Sequence, residues 1–378
     1  MKVCFCSPGI YHFFREDDPV MHGGAELQQY FIAQWLRNNG IPSAFITGDF
    51  GQPFIEEKEG FQIVKMAKGM RGGLLTETFL REIAGIEKAM RTVDADIYYQ
   101  RGAGTLTGKV AYLCRRMRKP FVFGVSSDAD CDIHISPYKR PGWYERRVFL
   151  KGLRQADLII AQTEFQRGLL KNNFGNDSIV ITNCYPVERK ERKKESPPKV
   201  LWVGEIYRPL KRAEVFLQLA AALPDVNFIM VAGPEDPKPE LYAEIRSRAE
   251  RMSNVEFLGF VPCKKINHHF ERASILVDTS AVSGFHNTFL QAWANENPVV
   301  SLEVDPDDII CRHGLGFHAK NFENLVYYTK KLVNDAEFRE KMGQQAYEFV
   351  SKHLDVNIIG PKYREIFKTV YKNPASLA

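Results

Sequence analysis

Two hydrophobic patterns alternate along the chain: short, wholly apolar runs, and longer stretches with apolar positions three or four residues apart. Residues 2–7 read as a buried strand stopped by Pro8-Gly9. Helix composition then starts at Gly24 or Ala25 and stops at Gly40, with Leu27, Tyr30, Phe31, Trp35 and Leu36 as its apolar stripe. Further strands are predicted at 43–47, 95–100, 121–125 and 158–161, and helices at 108–118 and 145–153. This alternation predicts a mostly parallel sheet covered by helices on both faces.

The pattern breaks at residues 188–199, where Arg189, Lys190, Arg192, Lys193 and Lys194 precede Pro197-Pro198 without apolar periodicity. An exposed interdomain linker is the favoured reading, with an anion-binding patch as the alternative. The pattern then restarts. Strands at 200–203, 227–232, 255–258, 275–277 and 298–302 alternate with helices at 212–223, 240–252 and 289–295. A chain of 378 residues exceeds what one core usually supports, so two domains are expected. The expected boundaries are 1–188 for the first, 189–199 for the linker and 200–359 for the second, with a helix in 360–378 completing the first. In open parallel sheets the ligand lies beyond the carboxyl ends of the strands.

Composition narrows the class. Apolar residues make up 44%, and 26 Phe with 15 Tyr exclude a disordered chain. A formal charge of +5 is mild for a nucleic-acid binder. The seven cysteines are scattered and form no CxxC pair, as expected of free thiols in a reducing compartment. No apolar run approaches the roughly 20 residues that span a bilayer. A cytoplasmic protein is expected, and Arg115-Arg116-Met117-Arg118-Lys119 leaves peripheral contact with an anionic membrane open.

Three segments offer anion-binding chemistry. His22-Gly23-Gly24-Ala25-Glu26 lies between a strand and a helix, where glycines admit a ligand and helix amides accept phosphate charge, although a tight turn explains it equally well. Ser283-Gly284-Phe285-His286-Asn287-Thr288-Phe289 opens a helix after a strand, and either binds a diphosphate or is merely capped by Asn287. Gly204-Glu205-Ile206-Tyr207-Arg208-Pro209-Leu210-Lys211-Arg212 can bring cations to a leaving diphosphate. Asp128, Asp130 and Asp132 surround Cys131 ahead of His134. Metal ligation is one reading, and turn or cap roles are the favoured one. His268 and His269 read as surface positions on a helix. No HExxH motif, nucleophile elbow or protease pattern is present.

Together these segments resemble the retaining glycosyltransferases of family 4, or group 1, over nearly the whole chain. Gly23-Gly24-Ala25-Glu26 is similar to the family's glycine-rich loop, and Asn183 to the asparagine before its interdomain crossing. Trp202-Val203-Gly204 through Lys211-Arg212 resembles the start of its donor domain, with Lys211 at the diphosphate-binding lysine. Gly284-Phe285 and Asn287-Thr288, followed by Pro298-Val299-Val300-Ser301, resemble its donor loop and next strand.

The resemblance implies a GT-B fold, two facing Rossmann-like α/β domains with a cleft between them. It also implies a nucleotide-diphosphate sugar as donor substrate and a glycan or lipid-linked acceptor, as in cell-surface polysaccharide or glycolipid synthesis. No cofactor or metal is implied, and no nucleic-acid partner. By the same resemblance Lys211, Ser127 and Asp128 are the catalytic candidates. The donor contacts are Gly23, Gly24, Gly204, Glu205, Arg208, Lys211, Ser283, Gly284, Phe285, His286, Asn287, Thr288 and Gln291.

Three positions depart from the family pattern. Glu205 stands where an arginine is usual, with Arg208 as a possible substitute. The family's pair of donor-site glutamates falls on Ser283 and Gln291, and Ser127 is the nearest match to its first-domain histidine. Gln291 can still hydrogen-bond a ribose hydroxyl, whereas Ser283 is a shorter, neutral group. These departures motivate an alternative: a protein of the same architecture that binds nucleotide, glycan or protein without transferring sugar.

Overall fold

A computed structural model describes residues 1–15, 23–66, 75–132, 142–189, 194–206, 209–233, 238–282 and 284–372. His22, His134, Tyr207, Arg208 and Ser283 lie outside the described residues. The described residues fall into two compact units. Those up to Asn183, joined by those from Val356 onward, form the first unit, and those from Cys184 to Asp355 form the second.

The first unit holds an eight-stranded sheet. Its strands are β1 (Val3–Cys6), β2 (Ser43–Thr47), β3 (Ile55–Lys58) and β4 (Phe61–Lys65), then β5 (Ile97–Arg101), β6 (Phe121–Gly124), β7 (Leu158–Ala161) and β8 (Ile179–Val180). They lie in the order β3-β4-β2-β1-β5-β6-β7-β8, and only β3 with β4 is antiparallel. The order runs outward in opposite directions from β1 and β5, so the topological switch point lies between these two strands. Cys6 pairs with Gln100, and Arg101 with Gly124. The β3–β4 hairpin is absent from the sequence-level reading. Its outer strand, Ile-Glu-Glu-Lys, is half-exposed and charged, so it carries no apolar run to detect.

Helices α1 (Gly24–Asn38), α2 (Leu75–Val93), α3 (Thr105–Met117), α4 (Trp143–Arg154) and α5 (Glu164–Phe174) connect these strands. The α5 boundaries follow from sequence: the Thr163 side chain accepts from the Gln166 amide, and Gly175 closes the helix at φ 73°.

The second unit is an all-parallel sheet of β9 (Lys199–Gly204), β10 (Asn227–Ala232), β11 (Val255–Gly259), β12 (Ile275–Asp278), β13 (Val299–Ser301) and β14 (Gly316–His318). The order is β11-β10-β9-β12-β13-β14, which puts its switch point between β9 and β12. Its helices are α6 (Ala213–Ala222), α7 (Pro239–Glu250), α8 (Asn267–Arg272) and α9 (Asn287–Ala294), followed by α10 (Ile309–His313), α11 (Phe322–Asn334) and α12 (Ala336–His353). Alternation along β9 and β10 feeds two cores. Val200, Trp202, Phe228 and Met230 pack with Phe216 on one face. Leu201 and Ile229 pack with Phe289 and Trp293 on the other.

The last helix, α13 (Val356–Lys372), belongs to the first unit. It buries Ile359, Tyr363 and Phe367, and Asn357 Oδ1 accepts from Trp35 Nε1 of α1 at 3.1 Å.

The part of the linker after 193 is docked rather than solvated. Lys194 Nζ donates to Asn295 O and Asn297 Oδ1, both at 2.6 Å, and Glu195 bonds Arg272 Nε at 2.5 Å. An isolated charge run reads as solvent-facing, whereas here buried carbonyls and an arginine of the second unit supply its partners.

Candidate functional site

In the second unit the carboxyl ends of β9 and β12 meet the N-terminus of α9. Three segments converge there. After β9 the chain passes through buried Glu205 and Ile206, and Pro209–Lys211 form a single 3-10 turn. That turn is fastened to the segment after β12. Thr279 Oγ1 donates to Lys211 O at 2.6 Å and accepts from Trp202 Nε1 at 2.9 Å, while the Ala281 amide donates to Leu210 O at 2.9 Å. Arg212 is held in the left-handed region at φ 50°, with its guanidinium on Thr279 O and Glu303 Oε1, each at 2.6 Å. Arg212 is therefore spent on structure. The Lys211 ammonium makes no hydrogen bond or ion pair among the described residues.

Asp278, the last residue of β12, is buried beside His286 and Ser280. Its Oδ1 lies 3.2 Å from His286 Nδ1 and accepts from Ser280 Oγ at 2.8 Å. Burial alone would raise the Asp278 carboxyl, but the His286 ring, the Lys211 charge and the Ser280 hydroxyl outweigh it and hold the group well below the usual carboxylate range. Burial and the Lys211 charge in turn hold His286 below its ordinary value of 6.5. At neutral pH an aspartate anion thus lies beside a neutral imidazole.

His286 is the N-cap residue of α9 and gives it no side-chain cap, so Asn287 is the first helical residue rather than the cap. The first-turn amides of any helix lack intrahelical acceptors and carry the positive end of the dipole. Gly284 and Phe285 are buried, and Asn287 and Thr288 are half-exposed. Phe289 and Trp293 fix the far side of the helix in the core, with ring centroids 5.7 Å apart. One turn on, Gln291 is buried and hydrogen-bonded to the Tyr185 hydroxyl. The positive end of the helix and the Lys211 charge, which reaches His286, lie beside the Asp278 anion.

In the first unit, Gly23 caps α1, but Glu26 folds its carboxylate back over it. A Cβ on Gly23 would collide with Glu26 Oε2, and one on Gly9 would lie 3.0 Å from Oε1.

Ser127 and Asp128 follow β6 and are half-exposed. Asp130 Oδ2 accepts from the Ser126 amide and hydroxyl, both at 2.7 Å, and from the Ser127 amide at 3.2 Å. Asp128 Oδ1 accepts from Gln166 Nε2 at 2.9 Å. These are the cap and turn roles favoured for the acidic run. Among the described residues, the grouping with metal-ligand spacing is instead Asp305, Cys311 and His318, where both Asp305 oxygens accept from amides at the start of α10. On α8, His268 is exposed and His269 half-buried.

Sequence reasoning missed Asp278, Thr279 and Arg101. A polar residue ending an apolar strand, as in Ile-Leu-Val-Asp, was the available signal for the first.

Residues 22–189 match the family model described as Glycosyltransferase Family 4, and residues 197–335 the one described as Glycosyl transferases group 1. Among curated proteins, none matches the chain in sequence. Solved structures share its fold at low identity. Sucrose-phosphate synthase from Thermosynechococcus elongatus superposes with a TM-score of 0.79 at 14% identity, over 98% of this chain and 100% of the other. HepE of Anabaena, solved with UDP and glucose, gives 0.74 at 18% identity, over 97% and 99%. The pneumococcal O-GlcNAc transferase GtfA, solved with UDP and GlcNAc, gives 0.70 at 11%, over 98% and 99%.

Proposed function

The chain belongs to the family 4, group 1 glycosyltransferases of GT-B fold, and from that premise we propose that it moves a sugar from a nucleoside-diphosphate donor to an acceptor hydroxyl with retention of configuration. The observation that carries the donor assignment is Lys211, whose ammonium has no hydrogen bond or ion pair among the described residues and whose charge reaches the N-cap of α9. Lys211 and the amides of residues 284–288 hold the donor diphosphate without a metal. As the bond from the anomeric carbon to the phosphate oxygen breaks, its electron pair passes to the leaving diphosphate, where this cation and the helix end stabilise it. The acceptor oxygen bonds the anomeric carbon on the same face and passes its proton to the leaving phosphate.

Ser127 and Asp128, at the carboxyl edge of the first unit's sheet, are assigned to the acceptor side. A carbohydrate or lipid-linked acceptor in surface polysaccharide or glycolipid synthesis is the class that fits the family. UDP is the first base to try, since HepE and GtfA were solved with it. A cytoplasmic location agrees with seven free cysteines, five of them buried. No described helix is long and apolar enough to cross a membrane. Arg115 and Arg118 at the end of α3 are exposed and suit an anionic bilayer surface.

The deciding experiment is calorimetric binding of UDP-, GDP-, ADP- and dTDP-sugars with detection of released nucleoside diphosphate, repeated in EDTA. Binding by none of the donors overturns the donor site. Activity abolished by EDTA and restored by a divalent cation overturns metal independence.

A further inference from the structure

Arg101 is the last residue of β5, at the switch point of the first unit's sheet, and the transfer chemistry above does not use it. It is 8% exposed. Its Nη2 donates to Asn183 Oδ1 at 2.5 Å, while Nε is buried with no partner. No carboxylate pairs with it among the described residues. A buried guanidinium with a single neutral amide as its partner is costly. Nothing in the sheet requires a cation here, since the Arg101 backbone already pairs with β6.

One strand over lies a complementary orphan. Gln29 of α1 is 1% exposed and donates to Ser7 Oγ at 3.0 Å, just past the end of β1, and its Oε1 is buried without a partner. Cys6 pairs with Gln100, so Ser7 is level with Arg101. Near the switch point, Arg101 at the end of β5 and Gln29 of α1, held on Ser7 just past β1, thus each bury a polar atom without a partner: a cationic donor and a neutral acceptor. Ligands of open parallel sheets bind outside such a point. By contrast, the Glu26 carboxylate lies close to Gly23 and Gly9 at the N-terminus of α1.

We propose that Arg101 binds an anionic group, a carboxylate or a phosphate, carried by a hydroxylated acceptor: a sugar acid or a sugar phosphate. This rests on the transferase reading and adds the acceptor's charge class to it. The anion completes the guanidinium's hydrogen bonds, and a ligand hydroxyl donates to Gln29 Oε1.

The test titrates glucuronate, glucose 6-phosphate and uncharged glucose into the full chain with UDP saturating, so that the donor phosphate site is filled. Wild type and Arg101→Met are followed by calorimetry and thermal unfolding. At least one of the two anions should bind wild type in preference to glucose, and Arg101→Met should weaken it by about ten- to a hundredfold, the loss of a charge-assisted hydrogen bond. UDP affinity should not change in the variant, and its midpoint of unfolding should hold or rise, because an unpaired buried charge has been removed. Equal anion binding by the variant overturns the proposal, as does the absence of binding by either anion to wild type. Loss of UDP affinity in Arg101→Met also overturns it, moving Arg101 to the donor phosphate. Failure of wild type to bind UDP at all is a separate result that counts against the donor reading. Should the Met variant not fold, the wild-type preference for the anions over glucose decides.

Discussion

At the scale of single residues, the site depends on which charges the structure leaves available. Arg212 and Lys211 are adjacent in sequence and equivalent by composition. The turn after β9 gives the Arg212 guanidinium two hydrogen-bond partners, whereas among the described residues the Lys211 ammonium has no hydrogen bond and acts on Asp278 and His286 by its charge alone. Lys211→Ala should therefore weaken UDP binding by about 1–3 kcal/mol, measured calorimetrically. Arg212→Ala should leave UDP binding nearly unchanged and show its cost in denaturant unfolding. Asp278→Asn replaces an anion held by His286, Lys211 and Ser280. It should destabilise the fold by about 1–3 kcal/mol in urea, a buried hydrogen-bonded charge being lost. In the sequence Lys211 was singled out only by resemblance to the family's diphosphate-binding lysine. Asp278 was not, because its importance comes from His286, which reaches it only once α9 is packed.

Among elements, α3 and α4 of the first unit cross at close range. A Cβ on Gly152 would lie 2.6 Å from the Gly108 backbone, and one on Gly108 would run into the Val148 carbonyl. Backbone meets backbone at this crossing, so no side chain can give way. Gly152→Val should lower the unfolding free energy by about 1–3 kcal/mol or more, read from urea denaturation, whereas Gly168→Ala on α5, with open space around it, should be near neutral or mildly stabilising. The helices themselves follow from their periodicity, but their crossing distance does not. Gly108 and Gly152 look in sequence like ordinary interruptions of helical pattern.

For the whole molecule, the charged segment after 193 ties the start of the second sheet to α8. Glu195 bonds Arg272 and Lys199, and these partners, Arg272 foremost, pull its carboxyl from 4.5 down to about 2. A group whose folded value is depressed contributes stability above its unfolded value and loses it as pH falls through the folded one. The wild-type advantage over Glu195→Gln should thus be full above about pH 4.5 and fade toward pH 2. Added salt should shrink it, since the carboxylate is partly exposed. Urea titrations across that range check both. The two units divide between Asn183 and Cys184, and again between Asp355 and Val356. A composition break placed the first division a few residues later, because composition registers charge and not the backbone pairing of Tyr185 with Asp355.

By itself the sequence determined the alternation of strands and helices, its restart in a second unit, and the loops that end at the carboxyl edges of both sheets. These are properties of local period and turn chemistry, and each is complete within a short stretch of chain. Strand order, the charged β3–β4 hairpin, the pairing of Asp278 with His286, and the burial of Arg101 with no acid paired to it among the described residues were decided only by the tertiary structure. Each depends on residues far apart in sequence, and what packing brings together there is set by burial and partner, which no local pattern records.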